Sequence, residues 1–369
     1  MRILTVNVGS SSLKVSVLEE QERLVVAEEV PLRAGRIDES ALAEVIGRAG
    51  SVDAVGHRIV HGGSEFIEPV IVDDQVRRRL ETLVDLAPLH LPASLSGLDV
   101  MARLLPEAPG VACFDTAFHS RMPAAAFTYA LPAEWRRRWP LRRFGFHGLS
   151  HAYAAARVEE FVGTTIGSRR VVTCHLGAGA SLAAVVAGVS VDTTMGFTPL
   201  DGLVMATRAG SLDPGLVLWL EEHAHLPPAE LASMLEHRSG LLGLSGSADL
   251  RMVLEAEERG DAGAILAVEV YLHRLRGAVA TMAAAMNGLD AIVFTGGVGE
   301  HAPSIRARAA AGLGFLGIEI DPERNDGHGC DYEIGTTEAR VRAFVVTARE
   351  DVQIARDVRR ALASNSSAS

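Results

Sequence analysis

Residues 3–17 read ILTVNVGSSSLKVSV. Ile3, Thr5 and Asn7 alternate with Leu4, Val6 and Val8; Gly9, Ser10, Ser11 and Ser12 intervene, and Leu13, Val15 and Val17 then alternate with Lys14 and Ser16. A period of two on both sides of a polar turn predicts a β-hairpin. A third β-rich run, Leu24 to Val30, comes next, and helical periodicity covers Asp38 to Ala49. The same grammar recurs far downstream: strand from Arg170 to Leu176, turn at Gly177 to Ala180, strand from Ser181 to Val186, turn at Ala187-Gly188, and strand from Ser190 to Thr193. The pattern predicts two structural repeats, each opening with a turn of phosphate size.

The turn in NVGSSSLK (residues 7–14) suits a polyphosphate. Glycine lets backbone N–H groups approach, hydroxyls donate further bonds, and Lys14 adds a point charge. It is not a Walker A loop, because GxxxxGK followed by Ser or Thr is absent and a strand follows. Gly-Ser-Ser-Ser is equally an ordinary hairpin connection without a ligand, and the segment alone leaves both readings open. In HLGAGAS (175–181) a GxG follows a strand, yet the third glycine of a dinucleotide fingerprint is missing and the next residues stay β-like. As the second repeat's turn it would face the first across a cleft, with a phosphate chain between them.

Between and beyond the repeats, helices are predicted over 75–86, stopped by Pro88, and over 93–105. A strand covers 111–114, with Asp115 at its carboxyl end, where open α/β sheets gather ligand sites. Asp290 to Thr295 reads as a strand, Gly296 to Gly299 as a tight loop and Pro303 as the first residue of a helix. A last strand (341–346) precedes a helix from Glu350 to about Ala363 and a Ser-rich tail expected to be disordered.

The 369 residues exceed one usual core and predict two domains. A net charge of −11 argues against non-specific affinity for nucleic acid or an anionic membrane. The dense basic cluster, Trp135-Arg-Arg-Arg-Trp139 with Arg142 and Arg143, reads as a helix face, domain seam or subunit contact. No apolar run approaches membrane-spanning length and no secretory leader is evident, so a cytoplasmic location is expected. Cys113, Cys174 and Cys330 are widely spaced and never in a CxxC pair, which speaks for small buried hydrophobes.

Arg58 in GHRIVHGG and Arg208 in DGLVMATRAG stand in apolar or Gly-rich sequence, where a charge is costly without an anion beside it. That anion is either an internal carboxylate or a ligand. Asp115 and His147 (in FGFHG) join them as a candidate set. His147 and His151 are four apart, but Gly148 stands where HExxH has Glu and no third ligand is evident, so no zinc site is expected. Asp249, Arg251, the 296–299 loop and Glu350 suit adenosine and metal binding, or simply caps and turns.

Together these pieces resemble the acetate kinase family, within the superfamily of acetate and sugar kinases, Hsp70 and actin. The resemblance rests on NVGSSSLK, VGHRIVHGG, APLHLPAS, FDTAFHSRMP, RRFGFHGLSH, CHLGAGAS, DTTMGFTPLDGLVMATRAGSLDP, SGSADLR and FTGGVGEH, in family order through nearly the whole chain. It implies an α/β, two-domain actin-like ATPase (ribonuclease H-like) duplicated fold with a cleft between domains, the first spanning 1–118 and taking back 351–369, the second 119–350. It implies reversible transfer of the ATP γ-phosphoryl group to acetate or another short-chain carboxylate such as propionate, with Mg2+, in a homodimer. By the same resemblance Asp115, His147 and Arg208 are catalytic, Arg58 and His90 bind the carboxylate, and Asn7 and Glu350 serve the metal. ATP falls to Lys14, Ser10, Ser12, His175, Gly177, Ala178, Gly179, Asp249, Arg251, Gly297, Val298, Gly299, Glu300 and His301.

Four motifs depart from the family pattern, at five positions. Ala178 replaces the amide of HLGNGAS, His301 the Asn of GIGEN and Leu91 the Asn of LHNP, while Ala348-Arg349 replaces the Thr-Asn before the terminal Glu. One amide bond lost to a charged phosphate costs roughly 1.5–3 kcal/mol, or one to two powers of ten in affinity. Ala178 and the changed GVGEH loop motivate one alternative, a weakly catalytic nucleotide-binding paralogue with a regulatory role; a butyrate-type kinase is the other, because apolar residues set the volume of the carboxylate pocket.

Overall fold

The structure, a computed structural model, describes residues 1–9, 12–32, 37–88, 90–162, 169–327, 329 and 331–366. Ser10, assigned above to ATP, and Cys330 lie outside the described residues, as does the last stretch of the tail. The chain divides into two compact units, one made of Met1–Ser120, Phe146–Tyr153 and Arg349–Ser369, the other of Arg121–Gly145 and Ala154–Ala348. The short segment Phe146–Tyr153, which the family boundaries put in the second domain, thus belongs to the first unit.

Among the described residues, the first unit's strands are β1 (Ile3–Val8), β2 (Ser12–Leu18), β3 (Leu24–Pro31), β4 (Ala54–Ile59), β5 (Val70–Ile71) and β6 (Gly110–Phe114). They form one sheet in the order β3-β2-β1-β4-β6-β5. The hairpin expected from alternation is present: β1 and β2 pair antiparallel with Asn7 opposite Lys14, and β3 adds antiparallel to β2. Strands β4 and β6 then continue parallel to β1, and two-residue β5 closes the edge antiparallel to β6.

The second unit repeats this plan with β7 (Arg170–Leu176), β8 (Ala180–Val186), β9 (Val189–Thr193), β10 (Ala291–Thr295), β11 (Tyr332–Glu333) and β12 (Arg342–Val345). Its order is β11-β12-β10-β7-β8-β9. Three antiparallel strands come first, two parallel strands join through crossovers, and a two-residue antiparallel strand again covers the edge. All six strands correspond, so the duplicated ribonuclease H-like plan that the resemblance implies is the fold of this chain.

Helices cover the sheets because their apolar faces need burial. On the first sheet, Leu42 and Val45 of the helix Glu39–Ala49 pack in one cluster with Leu4, Val6, Leu13 and Val15. Asp38 caps that helix by accepting from the Ala41 N–H at 3.1 Å. The C-terminal helix Glu350–Ser366 returns to the first unit and lies on β1, β4 and β6 with Val352, Ile354, Ala355 and Val358 buried. Each of the valines and the isoleucine contributes about 1.5–3 kcal/mol. In the second unit the long helix Ala262–Ala285, capped by Asp261, packs along β7, β8 and β9.

Three local expectations are corrected. The stretch 75–86 is a helix Asp74–Glu81 followed by a separate 3-10 turn Val84–Leu86, because Thr82 and Leu83 donate three residues back and tighten the coil. Gly296–Gly299 is not a loop but part of a short helix, Gly296–His301. The terminal helix runs through the start of the Ser-rich tail, to Ser366.

Candidate active site

In the first unit, the parallel arrangement of β1, β4 and β6 brings their carboxyl ends to one edge. Val6 is level with His57, so Asn7 sits beside Arg58; Ile59 is level with Phe114, so Asp115 follows at the same edge. Arg58 Nη2 donates to Asp115 Oδ2 at 2.6 Å and Nε to both carboxylate oxygens at 3.1 and 3.2 Å, a bidentate pair. Arg58 Nη1 donates to Asn7 Oδ1 at 3.1 Å, and Asn7 Nδ2 donates to Glu350 Oε2 at 3.1 Å. Four residues from four separate segments form one chain of bonds, and Glu350 enters it as the first residue of the terminal helix.

Asp115 is 1% exposed. Burial pushes its carboxyl above the usual range; Arg58 and the His147 N–H oppose that shift, while Glu350 adds to it. For Arg58, burial acts downward, but Asp115 and Glu350 outweigh it and hold the guanidinium well above its ordinary value. Of the five N–H groups of an arginine, three donate to Asp115 and Asn7, which leaves two outside these bonds, with Nη1 also 3.8 Å from Glu350 Oε2. Two N–H groups in one plane fit a carboxylate.

His147 lies immediately before the helix Gly148–Val162, in the left-handed region at φ 56°. The backbone there is pinned by the Gly148 N–H, which donates to the Asp115 carbonyl at 2.9 Å. A Cβ on residue 148 would stand 2.1 Å from that carbonyl oxygen. Gly148, which looked like a missing Glu, is therefore the residue that lets the histidine segment close on Asp115. His90 takes the N-cap position of the helix Leu91–Leu104, without a side-chain cap bond. Lys14 is exposed on β2, inside the strand and not in the turn, while the Ser12 hydroxyl donates to Glu29.

In the second unit, His175 lies one residue before the end of β7, and Gly177, Ala178 and Gly179 make the turn into β8, closed by the Gly177 N–H to the Gly179 carbonyl at 3.0 Å. The Ala178 carbonyl accepts from the Ala206 N–H at 3.1 Å, which ties the arginine-bearing loop to this turn. Arg208 is partnered by Glu236, with Nη2 3.3 Å from Oε1. Asp249 caps the helix Leu250–Glu258 by accepting from the Arg251 N–H, and its carboxylate also holds the Arg251 guanidinium at 2.7 Å. Gly297, Val298, Gly299, Glu300 and His301 form the short helix after β10, and Glu300 accepts from the Ala348 N–H at 3.0 Å.

Two residues here escape sequence reasoning. Glu236 gives no local signal of its pairing with Arg208. Arg306 is 1% exposed and donates to the Gly299 and Glu300 carbonyls at 2.9 and 2.8 Å and to Asn325 Oδ1 at 2.8 Å. It thereby satisfies the open carbonyls of the glycine-rich helix. An arginine three residues after a helix-starting proline was the available hint.

Among the described residues no group of three or more His, Cys, Asp or Glu is placed to hold a metal ion. His151 is buried, with its ring 5.7 Å from that of His119. No helix of the described residues is long and apolar enough to cross a membrane.

Comparison with known proteins shows the family. A family model described as the acetokinase family matches residues 37–356. The acetate kinase of Dictyoglomus thermophilum is 40% identical, over 97% of this chain and 98% of the relative. Among solved structures, the acetate kinase of Porphyromonas gingivalis superposes with a TM-score of 0.90 at 36% identity, covering 98% of this chain and 99% of that one. A propionate kinase from Francisella tularensis superposes at 0.88 and 33% identity, over 96% and 98%. The chain belongs to the acetokinase family.

Proposed function

We propose that this chain transfers the γ-phosphoryl group of ATP to acetate or propionate, giving an acyl phosphate and ADP, and catalyses the reverse reaction. Family membership and the acetate and propionate kinases it resembles support the reaction type. The observation that carries the reading is the Arg58 guanidinium, fixed on one side by Asp115 and Asn7 with two N–H groups left. A short carboxylate is already ionised at neutral pH, with a pKa of about 4 by analogy with side-chain carboxylates. No base is needed to activate it. One carboxylate oxygen attacks the γ-phosphorus while the bond to the β–γ bridging oxygen breaks, and ADP leaves with that electron pair.

Asp115 in this reading positions Arg58, since its own oxygens are occupied by the guanidinium and the His147 N–H. His147 and Arg208 place positive charge on the transferring group, whose charge spreads over its equatorial oxygens. His90 joins Arg58 at the carboxylate. The Gly177–Gly179 turn, His175, Asp249, Arg251 and residues 297–301 take the nucleotide, with Lys14, Ser10 and Ser12 on its phosphates. Asn7 and Glu350 would offer one amide oxygen and one carboxylate, a hard-oxygen pair of the kind that suits Mg2+. The ion supplies charge neutralisation on the phosphates. We place the enzyme in the cytoplasm, as a homodimer.

A hydroxamate assay with ATP, Mg2+ and acetate, propionate or butyrate tests the proposal. Acyl phosphate from the two shorter acids, abolished in Asp115→Ala, is the expected result; no product above that control overturns it.

A further inference from the structure

In the second unit, the strand ends opposite to Leu176 and Thr295 gather four arginines around one cavity of about 550 Å3. Arg170 opens β7, Arg342 opens β12, and Arg169 and Arg340 stand just before them. Three have assigned partners. Arg170 grips Asp290, its Nη2 at 2.6 Å from Oδ1, and reaches the Asn287 carbonyl, in space kept open by Gly288, where a Cβ would stand 2.0 Å from Nη1. Arg342 forms a bidentate pair with Glu333 at 2.7 and 2.8 Å, and Arg340 donates to the Leu316 carbonyl at 2.7 Å.

Arg169 differs. It is 6% exposed, lines the cavity, and has one long bond, 3.4 Å to the Val162 carbonyl. Among the described residues no carboxylate lies within ion-pair distance of it. Burial, and then Arg342, hold its guanidinium below its ordinary value against a weaker pull from Asp290 and Glu159, though an arginine keeps its charge. A buried cation among three other cations is costly unless an anion completes it. Three acids, Asp290, Glu333 and Glu159, are set against four arginines here, in a chain whose net charge is −11.

We propose that this cavity binds a compact, multiply charged phosphate-bearing anion, with Arg169 and Arg340 contacting it. Guanidinium forks match phosphate oxygens in pairs. The volume falls in the range of small-molecule sites, far more than a two-carbon acid fills. Val162, Val186 and Met286 on the wall give a carbon skeleton somewhere to lie.

Calorimetry of the full chain at fixed ionic strength, with pyrophosphate and with ribose 5-phosphate, tests this. The proteins are the unsubstituted chain, Arg169→Gln/Arg340→Gln and Arg208→Ala. Expected is binding that weakens about tenfold or more in the double variant, as the loss of charge-assisted bonds implies, and persists in Arg208→Ala. Turnover without either probe should be unchanged in the double variant. Pyrophosphate alone weakened identifies a free polyphosphate ligand; both weakened identifies a phosphate ester as well. No binding of either probe, equal affinity in the double variant, or loss confined to Arg208→Ala overturns the proposal. Should the double variant misfold, Arg340→Gln alone changes an exposed residue, and unchanged affinity there overturns it equally. Because binding is read and not turnover, failure here leaves the phosphotransferase reading untouched.

Discussion

Arg58 and Asp115 form a bidentate ion pair at 2.6–3.2 Å, across two parallel strands and with the carboxylate 1% exposed. Breaking it in Arg58→Ala leaves an uncompensated buried charge and should cost about 3–5 kcal/mol in urea unfolding. Removing both charges, in Arg58→Met/Asp115→Leu, should recover most of that stability while acyl phosphate formation stays absent. A double variant as unstable as the single, or one that turns over, contradicts the role given to the pair.

Gly148→Ala places a methyl 2.1 Å from the Asp115 carbonyl and 2.9 Å from Phe118 Cβ. Overpacking of this kind costs about 1–3 kcal/mol. Displacing His147 and Asp115 by about 1 Å should lower kcat about 100-fold, with little change in the KM for ATP. Steady-state kinetics with both substrates varied would show it; a wild-type kcat would remove the positioning role from this contact.

Ala178 is exposed and its carbonyl alone is engaged, by Ala206. Ala178→Asn therefore has room to add an amide. One bond to a charged phosphate contributes roughly 1.5–3 kcal/mol, so the KM for ATP should fall about tenfold or more with kcat held. An unchanged KM means that no phosphate passes this turn.

Burial holds the imidazoles of His57, His61 and His119 down at about 4, against 6.5 unfolded. The unfolded chain then binds more protons than the folded one, so the stability these residues contribute is complete above pH 6.5 and lost as pH falls toward 4. Together they lose about 4 kcal/mol per pH unit inside that window. Asp357 works oppositely: burial raises it to about 6 from 3.8, so the folded state holds the extra proton and gains stability as pH falls from 6. Asp357→Asn should steepen the decline between pH 6 and 4 by about 1.4 kcal/mol per unit. Chemical unfolding at half-unit intervals measures both slopes, and parallel curves would refute the assignment of Asp357.

The antiparallel halves of both sheets were legible because neighbours in sequence are neighbours in space, and period-two alternation shows through. The parallel pairings of β1 with β4 and β4 with β6 depend on crossovers, which leave no periodic mark; only the family resemblance supplied that half. Site residues divide along the same line. Arg58 and Arg208 stood out as charges in apolar surroundings, yet Asp115 and Glu236, their partners, could not be matched to them by spacing. The glycines at 296–299 read as a loop from propensity alone, and tertiary bonds from Arg306 override that propensity.

Asn7 and Glu350 are joined by a hydrogen bond although 343 positions separate them. In synthesis the strands β1 to β6 emerge well before the helix Glu350–Ser366 that covers β1, β4 and β6. Until that helix follows, the sheet face met by Val352, Ile354, Ala355 and Val358 lies open and Asn7 lacks its Glu350 partner. A chain cut before Glu350 should thus be sticky and, on the proposed function, inactive.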